Sequence, residues 1–405
     1  MNVKTIGREY GVLLLLGVLG IPIGAAIGAV DVLFGRVLLA VSAVRAAHIM
    51  PLLLFLAPIG VAIVWAYARY GGISGKGMSL VFEVGHGKES NIPLRLVPFV
   101  MVSTWLTHLF GGSAGREGVA VQLGAALSHS FGKRLEAYIP DAARIFLITG
   151  MAAGFSGLFQ TPIAATLFAI EVLSVGSLAL SALVPAVTAS FTACWVSGVL
   201  GLEKFSVDVS AKLSMDLPLL GKLAVLGVLF GLTGGVFAWG LRQAKALAAR
   251  ALPQPLVRIA VMGVCLSALL LLLHAGRYCG LGINLISACF SGETVYSYDW
   301  LLKLALTIGT LAAGYQGGEV TPLFSIGATL GVLLSGIVGL PVQLTAALGY
   351  AAVFGSATNT VLAPVLIGAE VFGMSNLPYF FIVCAVSFAC NRNASIYTKQ
   401  HVTQF

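Results

Sequence analysis

Long stretches of this chain carry no charge, and apolar residues fill them. Val172 to Leu202 contains no Asp, Glu, Lys or Arg; neither does Leu223 to Leu241, nor Leu304 to Tyr315. From Val320 to Asn391 the only charged residue is Glu370. A membrane-spanning helix needs about 20 consecutive apolar residues, so these runs hold many crossings. Gly and Pro interrupt them rather than charges, which predicts short, tilted or broken helices. A bilayer tolerates loose backbone of that kind only under cover of protein or around a polar cavity. The period-two alternation of a membrane barrel is absent. The apolar stretch from Val12 reads as the first membrane segment rather than a leader, because the rest of the chain is equally apolar.

The pattern repeats. Residues 152–172 read AAGFSGLFQTPIAATLFAIEV and residues 351–371 read AAVFGSATNTVLAPVLIGAEV, an offset of 351 − 152 = 199. Ala152, Ala153, Phe155, Thr161, Ala164, Leu167, Glu171 and Val172 recur as identical residues. Upstream, GREGVAVQLGAAL from Gly115 pairs with GGEVTPLFSIGATL from Gly317, an offset of 317 − 115 = 202. Residues 1–405 therefore read as a single all-α, polytopic transmembrane unit of two repeats, about 10–202 and about 218–400, divided by the polar connector 203–218. The residues leave open whether the halves are parallel or inverted. Transporter sites commonly lie at such repeat interfaces, on discontinuous helices near the midplane.

Two elements concentrate the chemistry. Gly111-Gly112-Ser113-Ala114-Gly115-Arg116-Glu117-Gly118-Val119 is a glycine-rich turn before an apolar stretch that reads as a helix starting at Val119. Glycine lets a ligand approach the backbone, and a helix N-terminus attracts anions through its free N–H groups. Glu117 sits where an anion would sit. Its carboxylate can occupy the site and leave it when protonated or displaced, a gate and proton carrier in one side chain. The competing reading is an N-terminal cap paired with Arg116. The second element is Gly314-Tyr315-Gln316-Gly317-Gly318-Glu319-Val320-Thr321-Pro322, with Pro322 suited to a first helical turn. The amides of Glu319, Val320 and Thr321 can then face an ion. A carboxyl group beside an anion makes sense when Glu319 is protonated and donates a hydrogen bond; the alternative is an N-cap facing a watery vestibule.

Weaker signals accompany these. Gly75-Lys76-Gly77-Met78-Ser79-Leu80 precedes another apolar stretch and by itself reads as a surface turn. Ser395-Ile396-Tyr397 offers a tyrosine hydroxyl, which serves either as an anion donor or as an interfacial anchor. Glu171 and Glu370, matched in the two repeats, are read as structural groups bonded to backbone at a helix end, with a proton relay as the alternative. Gly111 to Gly115 also fits the G-x-S-x-G pattern of serine hydrolases, but the expected strand before the serine is missing and no enzymatic activity is expected.

Composition narrows the class. Of 405 residues 58% are hydrophobic and only 9% charged, against about 25% charged in soluble domains, so lipid is the solvent. The net charge of +8 is scattered, with no basic cluster interleaved with aromatics, and a nucleic-acid partner is not expected. None of the six cysteines forms a C-x-x-C pair; they read as buried apolar fillers, and no metal or cofactor is expected.

With these elements in order, the chain resembles the CLC family of anion channels and anion/proton antiporters over about residues 10 to 400. Gly115-Arg116-Glu117-Gly118 matches its G-(K/R)-E-G-P motif, with Val119 in place of Pro, and the resemblance implies that Glu117 is the gating glutamate. Phe159 to Glu171 resembles the family segment that follows. The family's G-S-G-I-P loop is best matched by Gly77-Met78-Ser79-Leu80, which puts Met78 at the serine position; a register from Gly75 would put Lys76 there. Its G-x-F-x-P motif appears as Gly318-Glu319-Val320-Thr321-Pro322. Val172 stands where many proton-coupled members carry an inner glutamate. These departures resemble the bacterial fluoride-exporting branch. That resemblance implies fluoride export in exchange for protons, with Met78, Gly118, Glu319, Val320, Thr321 and Tyr397 forming the anion path. It also implies a CLC-like fold of two inverted repeats without a cytoplasmic regulatory domain, a homodimer with one pore per subunit, and a multi-pass protein of the bacterial inner membrane. A chloride/proton antiporter or passive anion channel of the same fold is the alternative.

Overall fold

The computed structural model describes residues 3–211, 213–391 and 394–402. The first half holds α1 (Val3–Ala47), α2 (Ile49–Leu54), α3 (Leu56–Ala66), α4 (Met78–Gly85), α5 (Leu96–Leu109), α6 (Glu117–Leu135), α7 (Ala142–Phe159), α8 (Pro162–Glu171) and α9 (Leu183–Val199). The second holds α10 (Leu217–Ala251), α11 (Pro255–Leu272), α12 (Ile283–Ser291), α13 (Asp299–Ala313), α14 (Val320–Val338), α15 (Val342–Thr358), α16 (Leu362–Phe372) and α17 (Leu377–Cys390). Among the described residues, 7 helical segments are long and apolar enough to cross a bilayer, including Tyr10–Ala47, Leu217–Ala251 and Val320–Val338. This is a multi-pass membrane protein. One parallel pair of two-residue strands, Ser174–Val175 with His401–Val402, ties the end of the chain to the first half, an addition to the all-helical expectation.

The helices break where the sequence calls for it. Gln160 adopts a left-handed conformation (φ 57) after α7, and Pro162 opens α8. Asn359 (φ 53) does the same after α15, before α16. The two residues are 359 − 160 = 199 apart, the offset of the sequence repeat.

The two motif loops meet back to back. Gly115 N–H donates to the Gly318 carbonyl at 2.6 Å and Gly318 N–H to the Gly115 carbonyl at 2.8 Å, an antiparallel exchange. α6 and α14, 19 residues each, both begin two residues after the bridged glycines. An antiparallel exchange between matching loops of the two halves fits inverted repeats. The pairing corrects the sequence alignment by one residue. The helix starts differ by 320 − 117 = 203 and the bridged glycines by 318 − 115 = 203, not 202. Glu117 is thus equivalent to Val320, and Glu319 to Arg116. Sequence matching was drawn to the two glutamates, whereas helix start and backbone pairing define the equivalence. α6 also begins at Glu117 rather than Val119.

Glycine allows the tightest packing. A Cβ on Gly154 of α7 would fall on the Ala120 carbonyl oxygen of α6, and one on Gly327 of α14 on the Gly349 carbonyl oxygen of α15. Close backbone approach through small residues is the usual means of helix association in lipid, where no hydrophobic drive exists between helices. Gly327→Val is therefore expected to force α14 off α15 and cost about 3 kcal/mol. The protein should be recovered with a lower melting temperature and less monodisperse on size exclusion; an unchanged profile would contradict this packing. The cysteines only partly match expectation: Cys279, Cys289 and Cys384 are buried, but Cys265 and Cys390 are exposed.

Candidate functional site

Glu117 lies at the first position of α6 and is 1% exposed. Its Oε2 accepts from the Thr321 N–H at 3.1 Å, from the Thr321 hydroxyl, and from the Arg116 N–H at 3.3 Å. Thr321 is the second residue of α14, so the carboxylate of one half occupies the N-terminal mouth of a helix from the other. The free amides and dipole of such a terminus favour an anion. The Arg116 Nε stands 3.6 Å from Glu117 Oε1, while Oε1 itself is buried without a hydrogen-bond partner among the described residues. The Arg116 pairing expected of a simple cap is present, but loose; the tighter contacts are those across the halves. A carboxylate held by donors aimed at its position is a side chain standing in for an anion.

A cleft leads towards this seat. Gly118, Glu319, Met78 and Tyr397 line it, together with Gln122 and Lys245. The Glu319 carboxyl is half-buried, with Oε2 3.9 Å from where a Cβ on Gly118 would sit. Tyr397 is 6% exposed, its hydroxyl has no partner among the described residues, and its ring stacks on Phe82 at 5.0 Å. An interfacial anchor would place that hydroxyl in water or headgroups; here it is buried beside the cleft. Met78 opens α4 after Gly77, whose positive φ of 55 makes the turn. Lys76, the other register, is held by Glu83 and Glu89, each at 2.8 Å. Val320 and Thr321 do not line the cleft; at 1% and 4% exposed they lie behind it, where Glu117 is seated.

The sequence reading missed Gln122. One helical turn after Gly118, its Nε2 donates to the Gly118 carbonyl at 3.1 Å. Its Oε1 is buried without a partner among the described residues, 3.5 Å from where a Cβ on Gly77 would sit. It spans from α6 to the Met78 loop. The i+4 spacing from Gly118 was the available signal.

Glu171 and Glu370 cap one another's halves. Glu171, ending α8, accepts from the N–H groups of Val361 (2.6 Å), Leu362 (3.2 Å) and Ala363 (3.2 Å) at the start of α16. Glu370, near the end of α16, accepts from Ile163 (3.3 Å) and Ala164 (2.8 Å) at the start of α8. Each carboxylate satisfies amides that a helix start leaves unpaired. Glu171→Ala is expected to cost about 1–2 kcal/mol, read as a lower melting temperature, with proton movement per turnover unaltered. Lost proton movement at an unchanged melting temperature would instead make Glu171 a relay. The G-x-S-x-G match at Gly111–Gly115 follows a helix, α5, and Ser113 is 0% exposed.

Comparison with known proteins converges on one family. A family model described as voltage gated chloride channel matches residues 59–392. A chloride/fluoride channel protein of Pseudomonas syringae pv. tomato is 35% identical over 363 residues, spanning 87% of this chain and 79% of that one. The voltage-gated ClC-type chloride channel ClcB of Salmonella typhimurium is 26% identical over 75% of each chain. Among solved structures, a CLC-type fluoride/proton antiporter superposes with a TM-score of 0.94 at 53% identity, over 96% of this chain and 98% of that one. A slow cyanobacterial Cl−/H+ antiporter superposes at 0.72 with 18% identity, over 97% and 95%, a likeness of fold alone.

Proposed function

The chain belongs to the voltage-gated chloride channel family, CLC, and we propose that it exports fluoride in exchange for protons, with Glu117 as gate and proton carrier. The observation that carries this is the Glu117 carboxylate held by the Thr321 amide and hydroxyl, the place an anion would take. An arriving anion displaces the carboxylate; the displaced carboxylate takes up a proton; the neutral side chain then gives up the proton on the other side and returns to its seat. Fluoride fits the surroundings better than chloride. It is small, strongly hydrated and a strong acceptor, so strong donors must replace its water. The Glu319 carboxyl beside Gly118 and the Tyr397 hydroxyl, without a partner among the described residues, are such donors when protonated. Met78 occupies the cleft without a donor of its own.

A passive channel or a chloride/proton antiporter on the same fold is the competing reading, and the presence of Glu319 speaks against chloride. Transport, not covalent chemistry, is the proposed activity. We propose further that the protein works in the bacterial inner membrane as a homodimer with one path per subunit; the curated relatives above are bacterial. The test is efflux from liposomes loaded with fluoride, with chloride as competitor and with and without a proton gradient. Fluoride should leave faster than chloride and respond to the proton gradient. Equal rates for the two anions would overturn the fluoride assignment.

A further inference from the structure

Lys303 of α13 is 0% exposed, in a helix whose next charged neighbour is Asp299, one turn earlier. Its Nζ donates to Ser113 Oγ at 2.9 Å, to the Gly280 carbonyl at 2.6 Å and to the Tyr278 carbonyl at 3.1 Å. Two of these partners are carbonyls, which only accept, and the Ser113 hydroxyl can accept as well, so the site can pair all three N–H donors of an ammonium. Ser113 is further held by Thr307 at 2.9 Å and, through its N–H, by Thr310 at 3.2 Å. Gly280 N–H donates to the Gly112 carbonyl at 3.0 Å. The ammonium is thus fixed on the glycine turn that ends in Glu117.

Among the described residues no carboxylate lies within 4.0 Å of Lys303 Nζ. Asp299 is taken: its oxygens accept from Arg277 (3.2 and 2.7 Å), from the Tyr278 hydroxyl (2.7 Å) and from the Tyr296 N–H (2.9 Å). A second cation reinforces the first, since Arg45 donates to the His108 carbonyl at 2.7 Å and its guanidinium packs on Gly280. A buried charge without a partner in a membrane interior is expensive and is a functional candidate by default. The negative charge available on this turn is the Glu117 carboxylate, or the anion that replaces it.

We propose that Lys303 is a positioning residue for transport: a fixed counter-charge, anchored through Ser113, that lets an anion occupy the seat at the start of α14. This rests on the anion-transport reading of that seat. It gives the match at Gly111–Gly115 a role, with Ser113 as an acceptor for the ammonium rather than a nucleophile.

The experiment measures fluoride efflux from liposomes against internal fluoride concentration for the wild type, Lys303→Met and Lys303→Arg. Wild-type efflux tests the transport reading itself, separately from the variants. Removing the charge should raise the apparent KM for fluoride about tenfold, with the protons moved per fluoride unchanged because Glu117 is intact. Lys303→Arg should keep KM within about threefold of wild type, as the charge is retained. A purely structural lysine would lower Vmax by reducing the amount of active protein and leave KM alone, and that outcome in a folded Lys303→Met would overturn the proposal. Should Lys303→Met fail to fold, Lys303→Gln, which keeps two N–H donors without the charge, takes its place. A rise in KM of about tenfold then supports the counter-charge, and a wild-type KM in folded protein overturns it.

Discussion

Glu117→Gln is expected to abolish fluoride-driven proton movement, by at least about a hundredfold, the scale of losing a positioned proton-transfer group. Glutamine has nearly the shape of a protonated glutamate. Its amide carbonyl can still accept from the Thr321 amide and hydroxyl that hold the native Oε2, so the fold around the gate should survive. It cannot ionise, however, and therefore cannot take a proton from one side and release it to the other. The readout is the number of protons moved per fluoride in sealed liposomes. Glu117→Ala makes a useful companion, because it empties the seat: fluoride should then move passively, with no proton movement. Proton pumping that persists in Glu117→Gln would assign the proton to another group, and the half-buried Glu319 beside Gly118 would be the first to examine.

Glu319→Ala is expected to lower the preference for fluoride over chloride by roughly tenfold to a hundredfold, the worth of one hydrogen bond to a charged group. Glu319 is the N-cap residue of α14, but its side chain makes no capping hydrogen bond. Its carboxyl is turned instead to the cleft. Stability should accordingly change little. Selectivity should fall because fluoride loses more than chloride when a strong donor is withdrawn. Efflux of each anion from the same vesicles, with melting temperature as a control, separates the two effects. An unaltered fluoride preference would remove Glu319 from the selectivity mechanism, leaving Tyr397 and the amides of Gly118 and Val320 as the candidate donors.

Much of the fold was legible because membrane helices are written in composition. The charge-free runs marked the spans, and the Phe-Thr-Glu match at offset 199 marked the repeat. The same offset separates the left-handed breaks at Gln160 and Asn359. Glu171 and Glu370 were correctly read as a pair bonded to backbone at helix ends, but the exchange between halves was not visible, because sequence position says nothing about which distant amides a carboxylate reaches. The one-residue error at the second motif has a similar origin. Two glutamates look equivalent as letters, whereas helix start and the Gly115–Gly318 bridge make Glu117 the counterpart of Val320.

At the site itself, Glu117 and Glu319 stood out as charges in apolar surroundings. Thr321 was legible as a residue with an amide at a helix mouth, yet not as the seat of the Glu117 carboxylate across 321 − 117 = 204 residues. Gln122 and Lys303 were missed for opposite reasons. Gln122 is uncharged and one turn inside a helix, so nothing in the composition flags it. Lys303 borders the uncharged run from Leu304 and reads as the end of a span, until the structure shows it fully buried on Ser113.

In the proposed mechanism one side chain, Glu117, exchanges places with fluoride and carries the proton back. The most direct measurement sets an outward fluoride gradient in liposomes holding the wild-type protein, clamps the membrane potential, and records external pH. Protons should move inward as fluoride moves outward, even against a small opposing proton gradient, and the external medium should turn alkaline. Fluoride leaving with no change in external pH would contradict the claim.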